Sequence, residues 1–277
     1  TTIASCVARK PMVISPDMND KMWESPATQQ AIKTIRSWEN VTVIEPAEGQ
    51  LACGTSGKGR MPEIDELQEA LEYALTPKTM LGKRVLITAG GTQEKIDPVR
   101  FISNYSTGKM GFALAQACAR RGAEVTLVCG AVSAPLLNPF GSIRRIDALS
   151  AQVMYEACTA AWPQQDIAIL CAAVADFAPS ETAPEKIKKQ AGQTDMLLQL
   201  RTTPDIARAL GESKRTDQQL IGFALETQNE KENALHKMER KNMDAIVLNS
   251  LRDKGAGFGT DTNIVTILQC DGTSTSL

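Results

Sequence analysis

Imidazole is almost absent from this 277-residue chain: His236 is its single histidine, set in the polar helical stretch 230–241. A metal centre built on several histidines is excluded, and a Ser-His-Asp triad would depend on that one residue. No C-x-x-C occurs among the seven cysteines (6, 53, 118, 129, 158, 171 and 270), and their number is odd. That pattern points to mostly buried thiols in a reducing compartment, not to a disulfide framework. Neither charge is in excess, with 30 Lys and Arg against 32 Asp and Glu, which argues against a surface built for nucleic acid or an anionic membrane. The longest apolar run, Ile167 to Ala175, is about half of what a bilayer span needs. No signal peptide opens the chain, and a cytoplasmic location is expected. An initiator methionine is missing as well, so the sequence is expected to be a fragment.

What is present suffices for a sizeable core, since 43% of the residues are apolar. At roughly 150 residues per domain the length favours two domains. In the first, residues 1–75, MVIS (12–15) and VTVI (41–44) read as short buried strands around a helix from Pro26 to Trp38. A polar, glycine-rich loop over 45–62 leads to an amphipathic helix from Glu63 to Leu75. TPKTMLGK, 76–83, reads as a linker. In the second domain, 84–277, strands are expected at 84–91, 124–130, 166–177, 196–200, 220–226, 244–249 and 263–270. Helices are expected at 108–121, 150–162, after Pro204 and at 229–241. Apolar strands alternating with amphipathic helices predict an α/β fold: a doubly wound, mostly parallel, Rossmann-like sheet with ligands at the carboxyl ends of its strands.

Several nucleotide motifs fail on inspection. TAGGTQEK lacks the G-x-G-x-x-G spacing, and the second strand ends in Cys129-Gly130-Ala131 with no acid to hold a ribose 2′-hydroxyl. An NAD(P)-dependent reductase is thereby reduced to an alternative. Both Gly-Lys pairs miss the P-loop pattern. Ala52 and Ser103 stand where its first glycine belongs, and Gly59 and Met110 replace its Ser or Thr.

Two clusters in the first domain carry more. Asn19, in Pro16-Asp17-Met18-Asn19-Asp20-Lys21-Met22-Trp23, offers a donor and an acceptor suited to a carboxylate or amide, although the stretch also reads as a turn with Met and Trp anchors. Cys53 lies among glycines in Leu51-Ala52-Cys53-Gly54-Thr55-Ser56-Gly57, where Lys58 and Arg60 would lower its pKa. A plain glycine hinge is the competing reading. Taken together, P-x-M-N-x-x-M-W and A-C-G-x-x-G-x-G-R-M resemble the flavin-dependent phosphopantothenoylcysteine decarboxylase half of the bifunctional bacterial coenzyme A biosynthesis flavoproteins. The resemblance implies that Asn19 contacts the carboxylate end of the substrate. It also implies that FMN oxidises the cysteinyl centre to a thioaldehyde and that Cys53, on a flap, protonates the enethiolate left by decarboxylation. The family's flavin-phosphate loop and active-site histidine belong to a preceding part not found here. Residues 1–75 are therefore expected to be the C-terminal remnant of a flavodoxin-like domain, inactive alone and binding FMN only in the full-length protein.

Nearly all of 82–277 is similar to the partner activity, phosphopantothenate–cysteine ligase, through ITAGGTQEKIDPVRFISNYSTGKMG (87–111), CAAVADF (171–177), APEKIKK (183–189), TPDI (203–206), GFALET (222–227) and the Lys237/Lys241 pair. The resemblance implies CTP-dependent activation of 4′-phosphopantothenate to an acyl-cytidylate, then amide formation with cysteine. Residue chemistry agrees: attack on an α-phosphate develops charge that lysines and Mg²⁺ stabilise. Lys186, Lys188 and Lys189 share a loop, and Lys237 and Lys241 are four apart on one helix, placed to point at one triphosphate. By resemblance Ala172, Asp176, Lys186, Pro204, Asp205, Ile206, Ala207, Phe223, Lys237 and Lys241 bind the nucleotide. Lys186 serves acyl-cytidylate formation, and Asn104 serves the attack by cysteine. From the residues alone, SNYSTGKMG is an anion cradle or a helix N-cap. Asp176, after an apolar run, needs a partner, which a base, a ribose or Mg²⁺ would each supply. Phe223 stacks on a base or packs the sheet. The family also implies a homodimer. A non-catalytic flavoprotein-related regulatory subunit is the other alternative.

Overall fold

The computed structural model describes residues 10–50, 54, 56–132, 141–189, 194–226, 229–250 and 262–277. Two compact units result: one holds Thr1–Leu81 and takes Ala119–Gly122 from later in the chain, and the other holds nearly all of Gly82–Leu277.

In the first unit, strands Met12–Ile14 and Val41–Val43 pair in parallel and are connected by a helix, Pro26–Arg36. Pro26 opens that helix, where its missing N–H is no loss, and Lys33 and Arg36 close it against the dipole. Where a loop is expected over 45–62, Ala47–Gln50 and Ser56–Arg60 form an antiparallel hairpin. Its glycines and charges carry no period-two apolar pattern, which hides it from a reading of hydrophobicity. A short helix, Asp20–Glu24, replaces the expected turn, and a longer one spans Ile64–Leu75. Trp23, Ile32, Ile44, Ala70 and Ala119 are among the buried apolar side chains of this unit.

The second unit is an α/β fold around one eight-stranded sheet. Six strands lie parallel: β1 Arg84–Ala89, β2 Glu124–Cys129, β3 Ser142–Asp147, β4 Ile167–Leu170, β5 Gln219–Glu226 and β6 Ala245–Ser250. They stand in the order 3-2-1-4-5-6, the Rossmann arrangement. Beyond β6 follow β7 Val265–Gln269 and β8 Ser274–Ser276, both antiparallel to their neighbours. The helices are α1 Lys109–Arg120, α2 Ala151–Ala161, α3 Ile206–Glu212 and α4 Glu230–Arg240. In β1 and β2 every residue but the first is buried, as continuous apolar strands inside a covered sheet must be. Leu86, Val128, Ala168, Leu220 and Ile246 from the sheet meet Met154, Trp162, Leu210 and Met238 from α2, its following turn, α3 and α4.

Three departures from the expected elements matter. β3 was not foreseen: Arg144, Arg145 and Asp147 are exposed on it, as suits an edge. The third predicted strand, 166–177, stops at Leu170; beyond it Phe177–Pro179 pairs with Leu200–Thr202, away from the main sheet. MLLQL contributes only Leu200 to a strand, and Leu197 is fully exposed. No helix among the described residues is long and apolar enough to cross a membrane.

Thiol burial yields a residue-resolved test. Cys118, Cys129 and Cys158 are buried, Cys171 is half-buried and Cys270 is exposed. Burial pushes Cys129 up to about 11, and Cys158 and Cys171 up to about 12. These thiols stay protonated in the fold where an unfolded chain ionises, so their contribution to stability is complete at neutral pH and is lost as pH rises past the ordinary thiol range. Iodoacetamide at pH 8 should label Cys270 at least tenfold faster than Cys118, Cys129, Cys158 or Cys171, read by peptide mapping.

Candidate functional site

Strand order reverses between β1 and β4, so the crevice outside their carboxyl ends is the place for a ligand. β1 runs into Gly90, whose φ of +81° and whose missing Cβ, which would lie 2.5 Å from the Ala131 carbonyl oxygen, both require glycine. Gly91 then bridges to Ala131 on one side and Ala173 on the other. The Ala131 amide donates to Gly91 O at 2.7 Å, and the Ala173 amide to Gly90 O at 2.9 Å. Threonines fasten the CAAVAD segment to this knot. Thr88 Oγ1 accepts from the Ala172 amide (3.1 Å), Thr92 Oγ1 accepts from the Ala175 amide (3.0 Å), and Thr203 Oγ1 donates to Ala175 O (2.6 Å). The Thr203 amide donates to Asp176 O at 3.0 Å.

Asn104 completes the arrangement, its Nδ2 donating to Ala173 O at 2.9 Å. Asn104, Ala172, Asp176 and the start of the 203–206 turn are thereby brought to one place by bonds through Ala173, Ala175 and Thr203. Asp176 corrects an expectation: it is exposed, because the chain leaves the sheet at Leu170 and delivers the carboxylate to solvent, where it needs no buried partner.

Phe223 lies half-buried in β5, and its carbonyl accepts from Lys237 Nζ at 3.0 Å. Asp205 caps α3, accepting from the Arg208 amide at 3.0 Å, and its Oδ1 also takes Lys241 Nζ at 3.0 Å. Burial pushes the Asp205 carboxyl up, but the Arg208 amide, the Lys241 ammonium and the Arg240 charge outweigh it and hold it below the usual carboxylate range. α4 ends at Arg240 with Lys241 as its C-cap, whose amide still donates to Lys237 O at 3.1 Å, so the two lysines lie one turn apart. Their ammoniums have separate partners, Phe223 O and Asp205 Oδ1. Pro204 and Ala207 are half-buried and Ile206 is buried, so that turn presents backbone and the Asp205 side chain.

Lys186, Lys188 and Lys189 are all exposed. Their segment is anchored on the strand pair Gln93–Lys95 and Phe101–Ser103: the Ala183 amide donates to Ile96 O at 2.9 Å, and Thr182 Oγ1 to Lys95 O at 3.2 Å. Sequence reading missed the centre of this anchorage. Asp97, 1% exposed, accepts on Oδ1 from the Val99 and Arg100 amides (2.8 Å each), and on Oδ2 from the Arg100 guanidinium (3.0 and 2.5 Å) and the Ile187 amide (3.2 Å). The Arg100 guanidinium holds its carboxyl well below the usual carboxylate range, so the charge persists until pH falls beneath that range. A buried Asp three residues before an Arg across a strand-pair turn was the available signal.

Among the described residues no three His, Cys, Asp or Glu side chains gather as a metal-holding group. Mg²⁺ fits such a donor set when phosphate oxygens and water supply most of its ligands, with the exposed Asp176 as an acid at the crevice.

In the first unit Asn19 caps helix Asp20–Glu24, its Oδ1 accepting from the Lys21 amide at 2.9 Å. The neighbouring Met18 amide donates to Gly59 O at 3.0 Å, and a Cβ at Gly59 would fall 2.0 Å from Met18 O. Glycine there lets the hairpin lie directly on the Asn19 segment. Lys58 and Arg60, expected to act on Cys53, are paired with Glu45 and Glu63. Lys58 foremost, against an opposing burial effect and with help from Arg36, holds the Glu45 carboxyl low. Cys53 itself lies outside the described residues.

Comparison with known proteins follows the same division. Residues 80–277 match the family model described as DNA/pantothenate metabolism flavoprotein C-terminal domain, and residues 1–75 match a flavoprotein model. A cysteine/cysteine sulfinic acid decarboxylase from an unknown prokaryotic organism is 51% identical over 267 residues, covering 94% of this chain and 73% of that protein. The coenzyme A biosynthesis bifunctional protein CoaBC of Bacillus subtilis is 46% identical over 275 residues, covering 98% of this chain and 66% of its own length. The Escherichia coli K12 protein of the same name is 41% identical over 264 residues, at 95% and 64%. The chain thus spans about two thirds of the length of these curated relatives. Among solved structures, the C-terminal domain of a CoaBC superposes with TM-score 0.58 at 42% identity, covering 72% of this chain and 87% of that one.

Proposed function

This chain belongs to the DNA/pantothenate metabolism flavoprotein family, and on that footing we propose that its second unit, 84–277, is a phosphopantothenate–cysteine ligase of coenzyme A biosynthesis. The observation that carries the reading is the bond from Asn104 to Ala173, which ties the SNYSTGKMG segment to CAAVADF at the strand-order reversal.

In the first step the carboxylate of 4′-phosphopantothenate attacks the α-phosphorus of CTP; a C–O–P linkage forms and pyrophosphate leaves. Lys186 supplies an exposed ammonium that offsets charge on the phosphoryl oxygens. Mg²⁺, when bound, neutralises charge on the triphosphate. Ala172, Asp176, the 204–207 turn, Phe223, Lys237 and Lys241 form the nucleotide side. In the second step the cysteine amine attacks the acyl carbon, CMP departs and the amine gives up a proton. The family resemblance assigns Asn104 to this step, and its Nδ2 lies where the two motif segments meet. The strand pairs Gln93–Lys95/Phe101–Ser103 and Phe177–Pro179/Leu200–Thr202 pack on each other and expose Phe101, Phe177 and Leu200, an apolar surface that supports a homodimer.

Residues 1–75 are read as part of the decarboxylase domain, with 76–83 as linker. FMN belongs to that domain in the full-length protein. Ser15 Oγ, buried without a hydrogen-bond partner at the end of strand Met12–Ile14, suits a polar edge of such a ring. There Asn19 would hold the substrate's carboxylate end and Cys53 would return the proton. The relative named for decarboxylating cysteine and cysteine sulfinic acid supports a second reading of this half, in which the carboxylate lost belongs to the free amino acid. Measuring CO₂ from 4′-phosphopantothenoylcysteine and from cysteine, with full-length protein, separates the two.

The ligase reading is tested by pyrophosphate release with 4′-phosphopantothenate and Mg²⁺, comparing CTP with ATP, with and without cysteine. Release with CTP, and CMP only once cysteine is added, is the expected result; release with neither nucleotide from chain that binds CTP overturns it. Asn104→Ala should release about one pyrophosphate per site and then stall, with cysteine-dependent CMP formation down about 10²-fold.

A further inference from the structure

Both main-chain polar groups of Ile187 are held by one ion pair from a distant turn, the buried Asp97 and the partly exposed Arg100. The Ile187 amide donates to Asp97 Oδ2 at 3.2 Å, and Arg100 Nη2 donates to Ile187 O at 2.9 Å. That same Nη2 donates to Asp97 Oδ2 at 2.5 Å, so carboxylate, guanidinium and the peptide groups of residue 187 close on one another. Residues 186–189 belong to no helix or strand, and their three lysines are exposed. Ile187 itself is 36% exposed, so its side chain is only partly covered. Four of the five bonds to Asp97 stay within its own turn and would form there whatever residue 187 did. The fifth, with the Arg100 bond to the Ile187 carbonyl, reaches across 90 residues to the peptide adjoining Lys186.

We propose that Asp97 is a positioning residue for Lys186, acting through the Ile187 peptide groups to fix where the lysine segment presents its ammonium. The proposal rests on the assignment of Lys186 to acyl-cytidylate formation. Asp97 touches no reacting atom; its effect is on the orientation of a group that does. A displacement of about 1 Å in such a group lowers rates by as much as 10²-fold.

The test compares Asp97→Asn, Ile187→Pro and Lys186→Ala in the 277-residue chain. Ile187→Pro removes the loop's amide donor, also restricting the backbone at 186 and 187, and leaves the Asp97–Arg100 pair intact. Asp97→Asn changes the clasp without touching the lysine segment, so the two variants together separate clasp from fold. Hydrogen exchange of the amides at 184–189 should quicken at least tenfold in both clasp variants. Their kcat for CTP-dependent pyrophosphate release should fall at least tenfold, with a smaller change in KM for CTP. In the double variant, Asp97→Asn should add less than twofold to the loss caused by Lys186→Ala, because the two act as a unit. Unchanged exchange in both variants overturns the clasp. Faster exchange with wild-type kcat, or a full additional loss in the double variant, overturns the positioning role. Wild-type release by Lys186→Ala would overturn the ligase assignment of that lysine, and the exchange data would still report separately on the clasp.

Discussion

Replacing Lys186 by alanine should lower CTP-driven pyrophosphate release about 10²- to 10³-fold, equivalent to about 3–4 kcal/mol of lost transition-state stabilisation. The expectation comes from what the first step demands. A carboxylate already carrying negative charge approaches a phosphorus ringed by negative oxygens, and a compact ammonium at that point relieves the repulsion as it grows. Lys188 and Lys189 share the segment and its exposure, but neither is assigned to the reacting phosphate; alanine at either should change turnover by less than about threefold, the scale of a screened surface charge. Stopped assays at saturating CTP, with CTP binding measured separately, distinguish lost chemistry from lost affinity. Retention of more than a third of wild-type turnover by Lys186→Ala would sink the assignment.

The second large effect falls on stability. Trp162 is 2% exposed in the turn that closes α2, and its indole N–H donates to Leu210 O at 3.0 Å. Its own carbonyl accepts from Gln218 Nε2 at 2.9 Å, so the residue ties α2 to α3 and to the approach of β5. Trp162→Ala should cost about 3–5 kcal/mol, a large part of the roughly 5–15 kcal/mol that holds a domain folded. Trp162→Phe keeps most of the volume but leaves the Leu210 carbonyl without its donor, and should cost about 1–3 kcal/mol. Urea titrations followed by far-UV circular dichroism measure both. Equal midpoints for the two variants would mean that the hydrogen bond, not the packed ring, is what matters at this site.

Much of the second unit was legible because its central strands are buried on both sides. RVLITA, EVTLVC and LIGFALE announce themselves as unbroken apolar runs, and the helices between them supply the crossover pattern. β3 was hidden for the opposite reason: at the edge of a sheet, arginines and an aspartate serve a strand as well as apolar residues do. CAAVAD misled in the other direction. Its alanines are small because they pass close to the Gly90–Gly91 turn and donate their amide hydrogens to threonine hydroxyls, not because they continue β4. The candidate site was readable as motifs and unreadable as geometry. Spacing places Lys237 and Lys241 one turn apart at the end of α4, but it does not reveal that the Phe223 carbonyl takes one ammonium and the cap carboxylate of Asp205 the other. Asp97 escaped notice because an Asp before Pro-Val-Arg resembles any turn, and its long-range partner is a backbone amide, which leaves no trace in side-chain identity.

The charged character of β3 has a consequence for how copies of this chain meet. An exposed parallel strand at the margin of a sheet is a template on which another chain's strand can hydrogen-bond, and growth from it is open-ended. Ser142–Asp147 turns two arginines and an aspartate outward there, with Arg145 Nε paired to Asp147 at 2.8 Å. A strand laid against this margin would have to strip water from those charges and would bring like charges into register with its own copy. Association by sheet extension is therefore disfavoured at this side.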